Sequence, residues 1–155
     1  MILSGRDIQW YIEQKKLVIT PIKEEQFRQN GVDLILKQVS DPTYEIIEEG
    51  ITTKLVKSTF YLGVTNEYFE FPDDLMAFVE LRSTWARKGI MLPPTIVDAG
   101  FKGTLTLEIV SFITQPVPIG ERFAHLIFAK MTGPSIPYDG KYQGQRDITP
   151  AIRDK

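Results

Sequence analysis

Thr104-Leu105-Thr106-Leu107-Glu108-Ile109-Val110 is the stretch on which the fold turns. Leu105, Leu107 and Ile109 alternate with Thr104, Thr106, Glu108 and Val110, a period of two that sends successive side chains to opposite faces of a strand. The same alternation sets Val32, Leu34 and Leu36 against Asp33, Ile35 and Lys37, and returns at Phe60, Leu62 and Val64. Further strands are expected over 77–81, 104–112 and 123–131. Turn-forming residues punctuate these runs: Asp41-Pro42, Pro72-Asp73, Pro93-Pro94, Gly100, Gly103, Pro116 and Pro118-Ile119-Gly120. Many short strands between regular turns predict an all-β sandwich or barrel with short helices. The clearest helix spans 6–14: Ser4 and Asp7 form a capping box, and Ile8, Tyr11 and Ile12 share one face. It ends before Leu17-Val18-Ile19-Thr20 and Pro21, and a second short turn is expected over 24–28.

The 155 residues suit a single domain, 1–155, and 43% hydrophobic with 25% charged residues is an ordinary globular composition. Residues 133–155 are rich in Gly, Pro and polar side chains, and read as an extended segment lying over the surface or over a site. Cysteine is absent and His125 is the one histidine. Disulfides, thiol nucleophiles and His/Cys zinc centres are therefore excluded within one chain. Catalysis must rest on carboxylates, hydroxyls, Lys, Arg, Tyr, backbone groups or an oxygen-liganded ion such as magnesium. A net charge of −2 carries no global footprint for nucleic acid or an anionic membrane. No apolar run approaches the roughly 18 residues of a membrane span, and the first residues lack the pattern of a signal peptide. A cytoplasmic location is expected.

Four segments carry candidate chemistry. Arg82-Ser83-Thr84-Trp85-Ala86-Arg87-Lys88-Gly89 reads as an oxyanion cradle, since Arg pairs with phosphate oxygens bidentately, or as a solvated basic helical turn. Asp98, in Thr95-Ile96-Val97-Asp98-Ala99-Gly100-Phe101-Lys102-Gly103, either accepts from a sugar hydroxyl or caps a turn. Glu108 is a carboxylate inside an apolar strand: solvated on an open face, or a proton shuttle with a raised pKa in a cleft. The donor-rich tail around Tyr138, Lys141, Tyr142, Gln145 and Arg146 suits closure over a phosphorylated ligand, or is a frayed end.

In this order the segments resemble the dCTP deaminase family of the dCTP deaminase/dUTPase superfamily, over most of the chain. Met1-Ile2-Leu3-Ser4 with Arg6-Asp7-Ile8 looks like the start of many dCTP deaminases. Asn30-Gly31-Val32-Asp33-Leu34 is similar to the first shared motif. Residues 81–89 match the Arg-Ser-Ser-x-Ala-Arg-x-Gly motif with Thr84 for the second Ser, and residues 95–103 match Ile-Asp-x-Gly-Phe-x-Gly. Gly120-Glu121-Arg122-Phe123-Ala124-His125-Leu126-Ile127 resembles the fourth motif, with His125 where Gln is usual. Lys141-Tyr142-Gln143-Gly144-Gln145-Arg146 looks like the deaminase-type closing segment. Pro93-Pro94 stands where typical deaminases have Thr-Ala; proline keeps the carbonyl but has no N–H. His125 reads as a satisfied strand histidine.

The resemblance implies a distorted β-barrel or jelly-roll of the dUTPase type, a homotrimer with active sites between subunits, and residues 133–155 closing over the nucleotide. It implies zinc-independent deamination of dCTP to dUTP and ammonia, with Glu108, Ser83 and Arg87 catalytic. Arg82, Ser83, Thr84, Lys141, Gln145 and Tyr138 would hold phosphates or close the site, and Asp98 would accept from the sugar hydroxyl. Thr106, Leu107 and Glu108 would line the base edge, largely through backbone, with Ser83 and Arg87 reaching in from a neighbouring subunit. Magnesium would ride on the triphosphate. The alternative within the superfamily is a dUTP diphosphatase, or an enzyme with both activities.

Overall fold

Hydrophobic alternation produces strands where it is expected, most of them starting slightly earlier than the pattern alone suggests. The computed structural model describes residues 1–43, 45–47 and 52–153. In chain order, α1 (Gly5–Glu13) and β1 (Val18–Thr20) lead through a 3-10 turn (Glu24–Gln26) into β2 (Phe27–Arg28) and β3 (Gly31–Ser40). Then follow β4 (Thr52–Leu55), β5 (Phe60–Glu70), β6 (Leu75–Leu81), α2 (Ser83–Ala86), β7 (Ile90–Met91) and β8 (Thr95–Val97). The series ends with β9 (Lys102–Ser111), β10 (Gln115–Pro118) and β11 (Arg122–Lys130). The main sheet runs β7-β9-β5-β3-β11-β6-β8, with β1 on β5 and β2 on β3, while β4 and β10 pair separately. The β4–β10 pair was not expected, because Pro116 and Pro118 read as turn residues; a two-stranded pair leaves an open side where a missing N–H costs nothing.

The main sheet curls around one core, giving the all-β architecture with short helices that the alternation predicts. Leu105, Leu107 and Ile109 point into it, and Thr106, Glu108 and Val110 are half-buried on the outer face. Phe69, Phe123 and Phe128 are fully enclosed, and Phe71 stacks on Phe128 with ring centroids 5.4 Å apart. Burying side chains of this size contributes about 1.5–3 kcal/mol each. α1 is capped as expected: Asp7 N–H donates to Ser4 Oγ (3.2 Å) and Ser4 N–H to Asp7 Oδ2 (2.9 Å). That cap aims Ile8 and Tyr11 into the core.

One irregularity positions the rest. The second half of β3, Leu36 to Ser40, pairs with β5, but its first half departs toward β2 and β11, while Tyr68 and Glu70 pair with β1. The parting would orphan Ile35 N–H. Glu67, fully buried, fills the gap: Ile35 N–H donates to its two oxygens at 3.2 and 3.1 Å. Gln26 Nε2 donates both to Glu67 Oε1 (2.7 Å) and to Asp33 O (2.9 Å). A buried backbone donor is thereby satisfied by a side chain where the ladder cannot reach it.

Candidate functional site

The outer face of β9 is not open to solvent. β8 and the tail wall it into a cavity of about 320 Å³ that gathers five of the expected residues: Asp98, Thr106, Glu108, Tyr138 and Gln145. Phe60, Leu62, Phe101, Tyr142 and Thr149 also line it. Phe101 and Tyr142 fall in segments already singled out, whereas sequence reading missed Phe60, Leu62 and Thr149; the signal for Leu62 was register, which places it directly across from Glu108. Burial pushes the Glu108 carboxyl above its ordinary range, and among the described residues no cationic side chain pairs with it. A carboxyl in that state exchanges protons more readily near neutral pH than a solvated one.

The tail is docked, not frayed. Thr104 N–H donates to Gln145 O (2.9 Å), Gln145 Nε2 returns a bond to Thr104 O (2.8 Å), and Gly144 N–H donates to Lys102 O (2.7 Å). Thr149 N–H donates to Thr106 Oγ1 (3.1 Å), carrying the chain across the cavity beside Glu108. Tyr138 packs edge-on against Phe101, and its hydroxyl accepts from Tyr142 N–H at 3.2 Å. The Arg146 guanidinium lies 3.9 Å from the Tyr68 ring centroid, a cation–π anchor. Gly103 makes this close approach possible: with φ at +146°, a Cβ there would sit 2.6 Å from Gln145 O. Asp98 is exposed at the cavity rim; its turn is closed by the backbone, Phe101 N–H to Asp98 O (3.2 Å), so its carboxylate is not spent on capping.

Arg82, Ser83 and Thr84 lie elsewhere, on a second depression of about 280 Å³ shared with Arg28, Asn30, Asp33, Glu80 and His125. Residues 83–86 form the short helix α2, so the basic-turn geometry is real, and Ser83, Thr84 and Arg87 are exposed on it. Arg82 is already partnered within the chain: its Nε pairs with Asp33 Oδ2 at 3.1 Å and its Nη1 donates to Arg122 O at 3.1 Å. His125 is a satisfied strand histidine, its Nδ1 2.9 Å from Asp33 Oδ1. Three expected residues line neither depression. Leu107 turns its side chain into the core, where the alternation puts it, leaving only its backbone to the sheet. Arg87 follows α2 outward, and Lys141 is exposed with Nζ 5.5 Å from the Tyr142 ring centroid. Glu67, which sequence reading passed over, is pushed up to about 7 by burial, against the pull of the N–H donors around it. Among the described residues no three His, Asp or Glu side chains converge as a metal site requires. Nor is any helix among them long and apolar enough to cross a membrane.

Residues 40–131 match the family model described as dCTP deaminase-like. The chain is 42% identical to a dCTP deaminase of Metallosphaera sedula and 43% identical to one of Acidianus ambivalens, over 96% of this chain and 96% of each relative. The chain belongs to the dCTP deaminase family. It is also 48% identical, over 99% of its length and the whole of the relative, to a "Probable deoxyuridine 5'-triphosphate nucleotidohydrolase" of Sulfolobus islandicus rod-shaped virus 1. Among solved structures, the 2'-deoxycytidine 5'-triphosphate deaminase of Agrobacterium tumefaciens superposes with a TM-score of 0.71 at 18% identity, over 84% of this chain and 47% of that one. The native EIAV dUTPase gives 0.56 at 20% identity, over 81% and 98%. Those two likenesses speak for the fold. The family membership makes the chain an enzyme of the dCTP deaminase kind.

Proposed function

We propose that the chain deaminates dCTP to dUTP and ammonia in pyrimidine deoxynucleotide (dUMP/dTTP) biosynthesis, with Glu108 as the proton shuttle and without zinc. The observation that carries this reading is the unpaired, half-buried Glu108 carboxyl facing a nucleoside-sized cavity whose rim holds Asp98. Glu108 takes a proton from water and passes it to N3 of cytosine, and the hydroxide adds to C4. The proton left on that oxygen then crosses through Glu108 to the exocyclic amine, which leaves as ammonia while the C4 carbonyl forms. General acid–base catalysis of this kind contributes about 10²–10⁴-fold. Asp98 accepts from the sugar hydroxyl, and Thr106 with the backbone of Leu107 borders the base. The absence of cysteine and the single histidine leave no ligands for the zinc centre that other base deaminases use.

This cavity has two carboxylates on its lining and no Lys or Arg. A triphosphate cannot be held there without cations, so the site is incomplete in one chain. The complementary groups, Ser83, Thr84, Arg82 and Arg87, lie on the other depression and on α2, where a second copy would present them. Phe78 and Ile96, cross-strand partners on β6 and β8, are exposed beside the cavity and give that copy an apolar face to cover. We read the assembly as a homotrimer with magnesium arriving on the nucleotide, and with Ser83 and Arg87 orienting the water from the neighbouring subunit. Lys141, on the tail, is then placed to reach the phosphates.

The relative named as a probable dUTP nucleotidohydrolase, together with Pro93-Pro94, favours a second reading: hydrolysis of dUTP to dUMP and pyrophosphate, alone or after deamination. One assay separates them. The protein is incubated with dCTP or dUTP plus magnesium, and dUTP, dUMP and pyrophosphate are resolved. Deamination predicts dUTP from dCTP, with Glu108→Gln losing at least about 10²-fold in kcat while still binding nucleotide. Recovery of dCTP unchanged while dUTP becomes dUMP would leave the diphosphatase reading alone.

A further inference from the structure

We propose that Arg28 is a further phosphate-binding residue of this enzyme, held ready beside a buried carboxylate that its neighbours have already saturated. The inference deepens the reading above, on which its choice of ligand rests. Asp33 lies at the base of the second depression with 3% of its side chain exposed. Its Oδ1 meets His125 Nδ1 at 2.9 Å, and its Oδ2 takes Arg82 Nε at 3.1 Å and Arg122 Nη1 at 3.4 Å. Arg82 and Arg122 are each tied at a second point, to Arg122 O and to Glu25 O. Arg28 is the outlier: its Nε is 3.9 Å from Asp33 Oδ2, beyond hydrogen-bond distance, and its side chain is 42% exposed.

The backbone beneath this loose side chain is firm. Arg28 pairs with Gly31 in the β2–β3 ladder, and Gly5 of α1 packs so closely that a Cβ there would lie 2.1 Å from Arg28 O. Gly31 in turn leaves room for the His125 ring, whose Nε2 would be 2.6 Å from a Cβ at that position. Three guanidinium groups thus surround Asp33, and the only other carboxylate on the depression is the exposed Glu80. With Arg122 reaching Asp33 from beside the depression, three guanidinium groups stand against two carboxylates, and the Ser83 and Thr84 hydroxyls stand on the rim. A polyphosphate is the matching ligand, because the guanidinium fork fits its oxygens and the one cation with no short bond to lose is Arg28.

The test uses the full-length protein and inorganic tripolyphosphate as the probe. Calorimetry on wild type, Arg28→Gln and Arg28→Lys is set beside steady-state kinetics with dCTP and dUTP. We expect Arg28→Gln to weaken tripolyphosphate binding about tenfold or more, as loss of a charge-assisted bond does, and to raise KM for the nucleotide in step, with kcat held within about twofold. Arg28→Lys should recover part of the affinity, since it keeps the charge and loses the fork. Unchanged tripolyphosphate affinity and KM in a folded Arg28→Gln protein would overturn the proposal while leaving the deaminase reading intact. If wild type turned over neither nucleotide but bound tripolyphosphate through Arg28, the functional reading would fail and this inference would stand.

Discussion

Glu108 and Glu67 are both carboxylates on strands, and their surroundings divide their work. Glu108 faces a cavity with no cationic partner among the described residues, so burial raises its pKa, as the proposed proton shuttle requires. Glu67 is closed off and accepts from Ile35 N–H and Gln26 Nε2, so its cost is one of stability. Burial lifts it to about 7 in the folded chain, above its ordinary value of 4.5. The unfolded chain therefore releases this proton first. The stabilisation is fully present below about 4.5 and is lost as pH rises through about 7. The loss amounts to up to about 3 kcal/mol. Urea unfolding of wild type and Glu67→Gln between pH 5 and 8 should find wild type losing ground to the variant as pH rises. A gap that stays constant with pH would mean that Glu67 titrates as a solvated carboxyl does.

At the scale of elements, the tail behaves as an added edge to β9, held by Gln143, Gln145 and Arg146 against Lys102, Thr104 and Tyr68. Its backbone and side-chain bonds gather around one glycine, where a Cβ would lie 2.6 Å from Gln145 O, so a methyl group at Gly103 is enough to unseat it. Gly103→Ala should lower kcat/KM by at least about tenfold while costing a few kcal/mol at most in stability, since the tail contributes little to the core. Tyr138, Tyr142 and Gln145 would leave the cavity together. Full activity in Gly103→Ala with the tail protected from proteolysis would refute this account. The strands themselves were legible in advance: β3, β5, β6, β9 and β11 all follow from period-two alternation. β4 and β10 were not, because each is short and gains its meaning only from the other.

At the scale of the whole molecule, the proposed function makes the two depressions complementary halves of one chemistry. The first holds carboxylates and aromatic walls, and the second holds arginines and hydroxyls. Glu108→Gln and Arg87→Ala proteins should each be inactive alone. Co-expressed, they should regain about a quarter of wild-type activity, because a random mixture assembles intact sites from one unaltered half of each chain. No recovery in mixed oligomers would place both groups in the same chain's site. Size-exclusion chromatography with light scattering should give three times the 17.7 kDa chain mass, and Ile96→Glu on the exposed face should reduce both mass and turnover.

Read alone, the sequence determined the strand pattern, the capped first helix, a composition with no cysteine and one histidine, and the motif order that points to the family. Those properties are local: alternation, capping and residue type are fixed by neighbours a few positions apart. Only the tertiary structure decided that Asp98, Thr106, Glu108, Tyr138 and Gln145 share one cavity while Arg82, Ser83 and Thr84 share another. Only it committed Arg82 to Asp33, and put Glu67 and Gln26 where β3 leaves β5. Such pairings join residues tens of positions apart through strand register and the curl of the sheet, and no periodicity in the chain encodes them.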